Sequence, residues 1–121
     1  MSGYQEILQV ATDIAERASE IALSYFRQPA LLIEMKENQT PVTIADKKTE
    51  EAIRSDLSRY FPEHGIIGEE FGEEAKDSEF IWTIDPIDGT RSFVRGIPLF
   101  GTLLGLLHQG NPILGVMVLP A

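Results

Sequence analysis

Cysteine is missing from the 121 residues, and histidine occurs only at positions 64 and 108. No disulfide framework or thiolate zinc site can therefore form, and a reducing cytosol is the simplest expected home. Basic residues are also scarce, 10 against 19 acidic ones, for a formal charge of −9. Nucleic acid and anionic membrane would repel such a surface, so neither is expected as a partner. The first ten residues, MSGYQEILQV, hold no basic stretch before an apolar run, and no segment approaches the roughly 18 apolar residues of a membrane span. What remains is an acidic chain with 43% hydrophobic residues, enough for one small buried core over residues 1–121.

Periodicity organises the chain. From Tyr4 to Arg27, Ile7, Ala11, Ile14, Ala18, Ile21, Ala22, Tyr25 and Phe26 recur at threes and fours, as one stripe of an amphipathic helix that Pro29 helps to end. A short strand is expected in LLIEMK, then a polar loop in ENQTP. Thr43 caps a second helix with Asp46 three residues on, and Ala45, Thr49, Ala52, Ile53, Leu57 and Tyr60 form its apolar face before Pro62 closes it. IIG reads as a brief strand, EEFGEEAKDSE as a solvated loop or flap, FIWTID as another strand, and GTRSFVRG as one or two helical turns. Two apolar runs around Gln109-Gly110-Asn111-Pro112 signal a hairpin. The expected class is α+β, two long helices packed on a mostly antiparallel sheet.

Chemistry concentrates in TIDPIDGTRSF, residues 83–93. Pro86 stiffens the turn, so Asp85, Asp88 and the Ile87 carbonyl can face one space. Hard oxygen donors of this kind suit Mg²⁺, with Mn²⁺ as an alternative. Gly89 lets backbone approach a ligand, and Thr90 opens a helical turn whose free N–H groups favour an anion such as phosphate. Taken alone, Asp-Pro-Ile-Asp-Gly is also an ordinary turn, and Asp46 an acid that suits any helix N-terminus. Glu69 at a second strand end makes the acids read as a site. Glu73, Glu74, Asp77 and Glu79 read as a solvated charge run.

IGEE at 67–70 followed by WTIDPIDGT at 82–90 resembles the inositol monophosphatase family of Mg²⁺-dependent, lithium-sensitive phosphomonoesterases, over essentially the whole chain. The resemblance implies the first half of a layered αβαβα sugar-phosphatase fold. It also implies metal ligands at Glu69, Asp85, Asp88 and the Ile87 carbonyl, with phosphate held by Gly89, Thr90 and Asp88. Asp46, Thr90 and Glu69 become catalytic, Asp46 and Thr90 together orienting the attacking water. Lys36 stands where the family often has a lysine, and a surface lysine whose stem snorkels is an equal reading. Arg91 and Arg95 are open between substrate contact and solvated pairing.

GTRSF, Gly96-Ile97-Pro98 and GTLLGLL look more like the histidinol-phosphatase branch than the inositol branch, which commonly continues with Thr-Asn or Asn-Asn, Phe and a His-Gly pair. The implied substrate is a small phosphorylated metabolite, foremost histidinol phosphate, and the implied assembly a homodimer. Inositol-1-phosphate or nucleotide hydrolysis is the alternative in the same chemistry. A non-catalytic metal-binding or interaction fragment is the alternative from another class. Family members are longer, with a second half carrying a Trp-Asp-x-Ala motif; here Trp82 precedes Thr83. The chain is thus expected to match the N-terminal half of such an enzyme and to be weakly active or inactive alone.

Overall fold

A computed structural model describes residues 3–27, 33–35, 41–74 and 77–121. Helix α1 spans Gly3–Tyr25 and buries Ala11, Ile14, Ala15, Ala18, Ser19 and Ala22. Four of those six are alanines, so the helix lies close against its neighbours with little side-chain entropy lost. It ends two residues before the expected Arg27. Phe26 N–H bonds to the Leu23 carbonyl at 3.0 Å, and Arg27 turns left-handed at φ 62°, a helix-closing conformation more usual for glycine. Pro29, Lys36 and the ENQTP loop up to Thr40 lie outside the described residues.

Strands β1 (Ile33–Met35) and β2 (Pro41–Thr43) pair antiparallel as a small separate sheet, and α2 (Ile44–Tyr60) follows directly. The buried face of α2 differs from the expected one. Tyr60 is 48% exposed, while Asp46 and Glu50 are buried beside Ala45, Thr49, Ile53 and Leu57. Pro62 disfavours helix at Phe61, and the helix stops at Tyr60.

The main sheet takes the order β4-β3-β5-β6-β7. Its strands are β3 (Gly65–Gly68), β4 (Gly72–Glu74), β5 (Phe80–Asp88), β6 (Gly101–His108) and β7 (Asn111–Val118). All pairings are antiparallel except β3 with β5. The acidic stretch is therefore not wholly a loop: Gly72–Glu74 forms an edge strand hairpinned onto β3. Its exposed charged residues suit an edge that must not recruit another strand. Glu73, Glu74, Asp77 and Glu79 are all exposed, as expected of a solvated charge run, though Glu74 also pairs with Arg54 at 3.3 Å and Glu79 with His108 at 2.6 Å.

The expected final hairpin forms, turning at Gln109 and Gly110 with φ 51° and 86°. Positive φ at both central residues matches the sheet twist. Pro112 is tolerated because β7 is an edge strand.

Helices α1 and α2 pack on the sheet through a core of Ala11, Ile14, Ala18, Ile53, Leu57, Ile66, Trp82, Ile84, Leu104 and Leu106. Trp82 is fully buried, and its indole N–H donates to His64 Nδ1 at 3.0 Å, so the one polar atom of the ring is satisfied. Among the described residues no helix is long and apolar enough to cross a membrane.

Candidate active site

Strand direction brings the first two acids together. Because β3 and β5 run parallel with Gly68 opposite Ile84, Glu69, just past the end of β3, comes beside Asp85, the next residue along β5. Along β5, Trp82 and Ile84 face the core, so Asp85 falls on the alternate face by the two-residue period. The ladder with β6 then breaks between Asp85 and Asp88. Pro86 has no N–H to give it, and Pro86 and Ile87 are both buried in succession. This bulge turns Asp88 back toward the strand end.

The turn is braced from below. Ile87 sits in a second cluster with Ala22, Ala45, Phe93 and Phe100, and the buried Thr102 hydroxyl donates to the Pro86 carbonyl at 3.0 Å. Gly89 follows at φ 88°, where a Cβ would stand 2.7 Å from the Leu99 carbonyl oxygen. Only glycine satisfies both the dihedral and the space. Helix α3 (Thr90–Val94) starts there, and the Thr90 hydroxyl donates to the Ile87 carbonyl at 3.0 Å. With its proton so committed, Thr90 Oγ1 keeps lone pairs to accept from a water. At five residues, α3 has little macrodipole, so local N–H groups would dominate any anion contact.

Glu69, Asp85, Ile87, Asp88, Gly89, Thr90, Arg91 and Ser92 line one cleft of about 310 Å³. Larger clefts of about 570 and 490 Å³ lie around Glu20 and His64, but neither gathers carboxylates at strand ends. Asp85 is pushed up to about 7, first by burial and then by the charges of Glu69 and Asp88. Its Oδ1 is buried with no hydrogen-bond partner. A buried, crowded carboxylate oxygen without a donor is in the state that a cation would relieve.

Among the described residues, no three acidic or imidazole side chains already close on one point as a metal cage. Asp85 is nevertheless crowded by burial and by the charges of Glu69 and Asp88. The donor set is all oxygen, which suits Mg²⁺ or Mn²⁺. The Ile87 carbonyl, engaged once by Thr90, retains a second lone pair.

Glu69, Asp85, Asp88, Thr90 and Arg91 meet in the cleft; Asp46 does not line it, and is 4% exposed in the first turn of α2. Sequence reasoning missed Glu50 and Arg54, which hold the Glu69 turn. A signal was present: Glu50 falls on the stripe 46, 50, 53, 57, where an acid is out of place unless partnered.

Crowded carboxylates at the ends of two parallel strands thus lie beside a glycine-opened helical turn in one cleft. The chain belongs to the inositol monophosphatase family, whose model matches residues 3–121. It is 46% identical to a histidinol-phosphatase of Chlorobaculum parvum over 94% of this chain and 44% of that protein. It is 41% identical to a fructose-1,6-bisphosphatase/inositol-1-monophosphatase of Aquifex aeolicus, over 99% of this chain and 46% of that one. The crystal structure of the extragenic suppressor protein suhB from Bartonella henselae superposes with a TM-score of 0.90 at 31% identity, over 95% of this chain and 45% of that one. The chain spans less than half the length of these relatives.

Proposed function

We propose that the protein works as a Mg²⁺-dependent phosphomonoesterase of a small phosphate ester, with histidinol phosphate as its first substrate. The observation that carries this reading is the parallel β3–β5 register, which sets Glu69 beside Asp85 and lets the Pro86 bulge return Asp88 to the same cleft. In this reading Glu69, Asp85, Asp88 and the Ile87 carbonyl hold the cation. When bound, the cation supplies Lewis acidity to the phosphoryl group and to the attacking water.

The remaining roles fall to the chain itself. Gly89 admits a phosphate close to backbone, and Thr90 Oγ1 accepts from the water while its proton rests on the Ile87 carbonyl. Asp46, away from the cleft wall, would act through Thr90 and not on substrate directly. Arg91, exposed on that wall, is placed to meet the negative charge of an ester.

Support for the substrate comes from the histidinol-phosphatase relative at 46% identity. The Aquifex protein, named for two other phosphate esters, favours the second reading of inositol-1-phosphate or fructose-1,6-bisphosphate hydrolysis. The relatives carry more than half their length beyond this match, where further ligands and substrate walls can lie. Low turnover is therefore expected from the 121 residues alone. The test is phosphate release with Mg²⁺ from histidinol phosphate, inositol-1-phosphate, fructose-1,6-bisphosphate and a nucleotide, using this chain and a longer form of it. Preference for histidinol phosphate supports the reading; preference for another ester replaces it.

A further inference from the structure

Glu50 is wholly buried, yet it carries a carboxylate on the apolar face of α2. Such a group is stable only when its lone pairs are met by donors. Three donors meet it here: Arg54 Nε at 2.9 Å, the Glu70 backbone N–H at 2.9 Å and the Phe71 backbone N–H at 3.1 Å. Both amides belong to the residues immediately after Glu69. Gly68, immediately before it, leaves the room, since a Cβ there would stand 2.2 Å from Glu50 Oε2.

Arg54 extends the grip. It donates to the Gly72 carbonyl and pairs with Glu74 at 3.3 Å, so one side chain joins the buried carboxylate to the far side of the hairpin. Arg54 is itself 14% exposed in its side chain, where charge-assisted bonds are screened less than at the surface. Residues 70 to 74, directly after Glu69, are thereby held by two residues one turn apart on α2.

We propose that Glu50 and Arg54 are positioning residues, clamping the β3–β4 turn so that Glu69 is presented beside Asp85. The proposal rests on the reading of Glu69 and Asp88 as cation ligands. Its physical basis is that β4 is a three-residue edge strand held by a single short ladder to β3, so the turn before it has little else to fix it. The Glu69 carboxylate would otherwise sample many orientations, and a cation would have to order it on binding. The clamp removes that cost in advance.

The experiment uses the chain with Mn²⁺ as the probe. Free Mn²⁺ is followed by electron paramagnetic resonance for wild type, Glu50→Gln, Arg54→Lys and Asp88→Asn, alongside thermal melts and amide exchange of Glu70 and Phe71 without metal. A glutamine cannot accept two amides and Arg54 as a carboxylate does, so Glu50→Gln should weaken Mn²⁺ binding by about 10–100-fold. Its Glu70 and Phe71 amides should exchange faster while Leu104 in β6 keeps its protection. A purely structural role would lower the melting temperature and leave Mn²⁺ affinity unchanged well below it, and that result overturns the proposal. If Glu50→Gln fails to fold, Arg54→Lys decides, because lysine keeps the charge but cannot reach Glu50, Gly72 and Glu74 together. Weaker Mn²⁺ binding in that variant supports the clamp; unchanged affinity overturns it. Asp88→Asn separates the two layers of inference: should it bind Mn²⁺ as wild type does, the ligand assignment fails and the clamp with it. A loss in Asp88→Asn beside an unchanged Glu50→Gln removes the clamp alone.

Discussion

Replacing Gly89 by alanine tests whether the turn beneath the cleft is as constrained as its geometry implies. The residue has φ 88°, a conformation that adds about 1–2 kcal/mol for an L side chain. Its Cβ would also lie 2.7 Å from the Leu99 carbonyl oxygen and 3.5 Å from Phe100 Cα. Those contacts are backbone and cannot swing aside, so overpacking adds about 1–3 kcal/mol. Gly110 provides the control, because its φ of 86° is nearly the same and nothing lies within 4 Å of its Cβ. An unfolding entropy of roughly 2.1 cal/mol/K per residue gives about 0.25 kcal/mol/K for 121 residues. Gly110→Ala should then lower the melting temperature by about 4–8 °C and Gly89→Ala by about 8–20 °C. Calorimetric or circular-dichroism melts of both variants supply the comparison. Equal shifts would refute the claim that Leu99 walls the turn.

Acid should loosen the other end of β5. Burial lowers the His64 pKa from its ordinary value against a weaker opposing pull from Glu63, and His64 Nδ1 accepts from Trp82, which requires the neutral ring. The unfolded chain then binds the proton more readily, so this contribution to stability is present above about pH 6.5 and is lost as pH falls below it. His64→Asn should flatten melting temperature against pH between 7.5 and 5; an unchanged slope would exclude His64 as the cause. In a longer, active form, Thr90→Ala should lower kcat with little change in KM, because a water-positioning hydroxyl acts chiefly in the transition state. The reverse pattern in steady-state kinetics would reassign Thr90 to phosphate binding. At the β7 end Leu99, Met117 and Leu119 are 72%, 57% and 65% exposed beside an unpaired edge, so the chain should self-associate on size exclusion. Met117→Lys should shift it toward monomer, and a clean wild-type monomer would contradict the expectation.

The parts legible in the sequence are those with local causes. Turn chemistry around Pro86 and Gly89, the stripe of α1 and the Gln109-Gly110 hairpin all act within a few residues. Asp85 and Asp88 could be read as neighbours for that reason. That Glu69 stands beside them depends on β3 pairing parallel with β5 past an intervening strand, a tertiary fact with no short-range signature beyond the family motif. Strand β4 was hidden because Gly-Glu-Glu has poor strand propensity; Arg54, eighteen residues earlier at its Gly72 contact, helps to hold it. Glu50 was overlooked because a glutamate on a helix is usually solvated; its place on the buried stripe was the one sequence signal, and its amide partners at 70 and 71 are tertiary.

We propose above that the carboxylates of Glu69, Asp85 and Asp88 form one oxygen-donor cation site. Anomalous scattering from crystals of the chain grown with Mn²⁺ tests it most directly. A Mn²⁺ peak is expected within coordinating distance of those three carboxylates and the Ile87 carbonyl, absent from crystals of Asp88→Asn. A peak elsewhere with none in this cleft, at Mn²⁺ levels that saturate binding in solution, would contradict it.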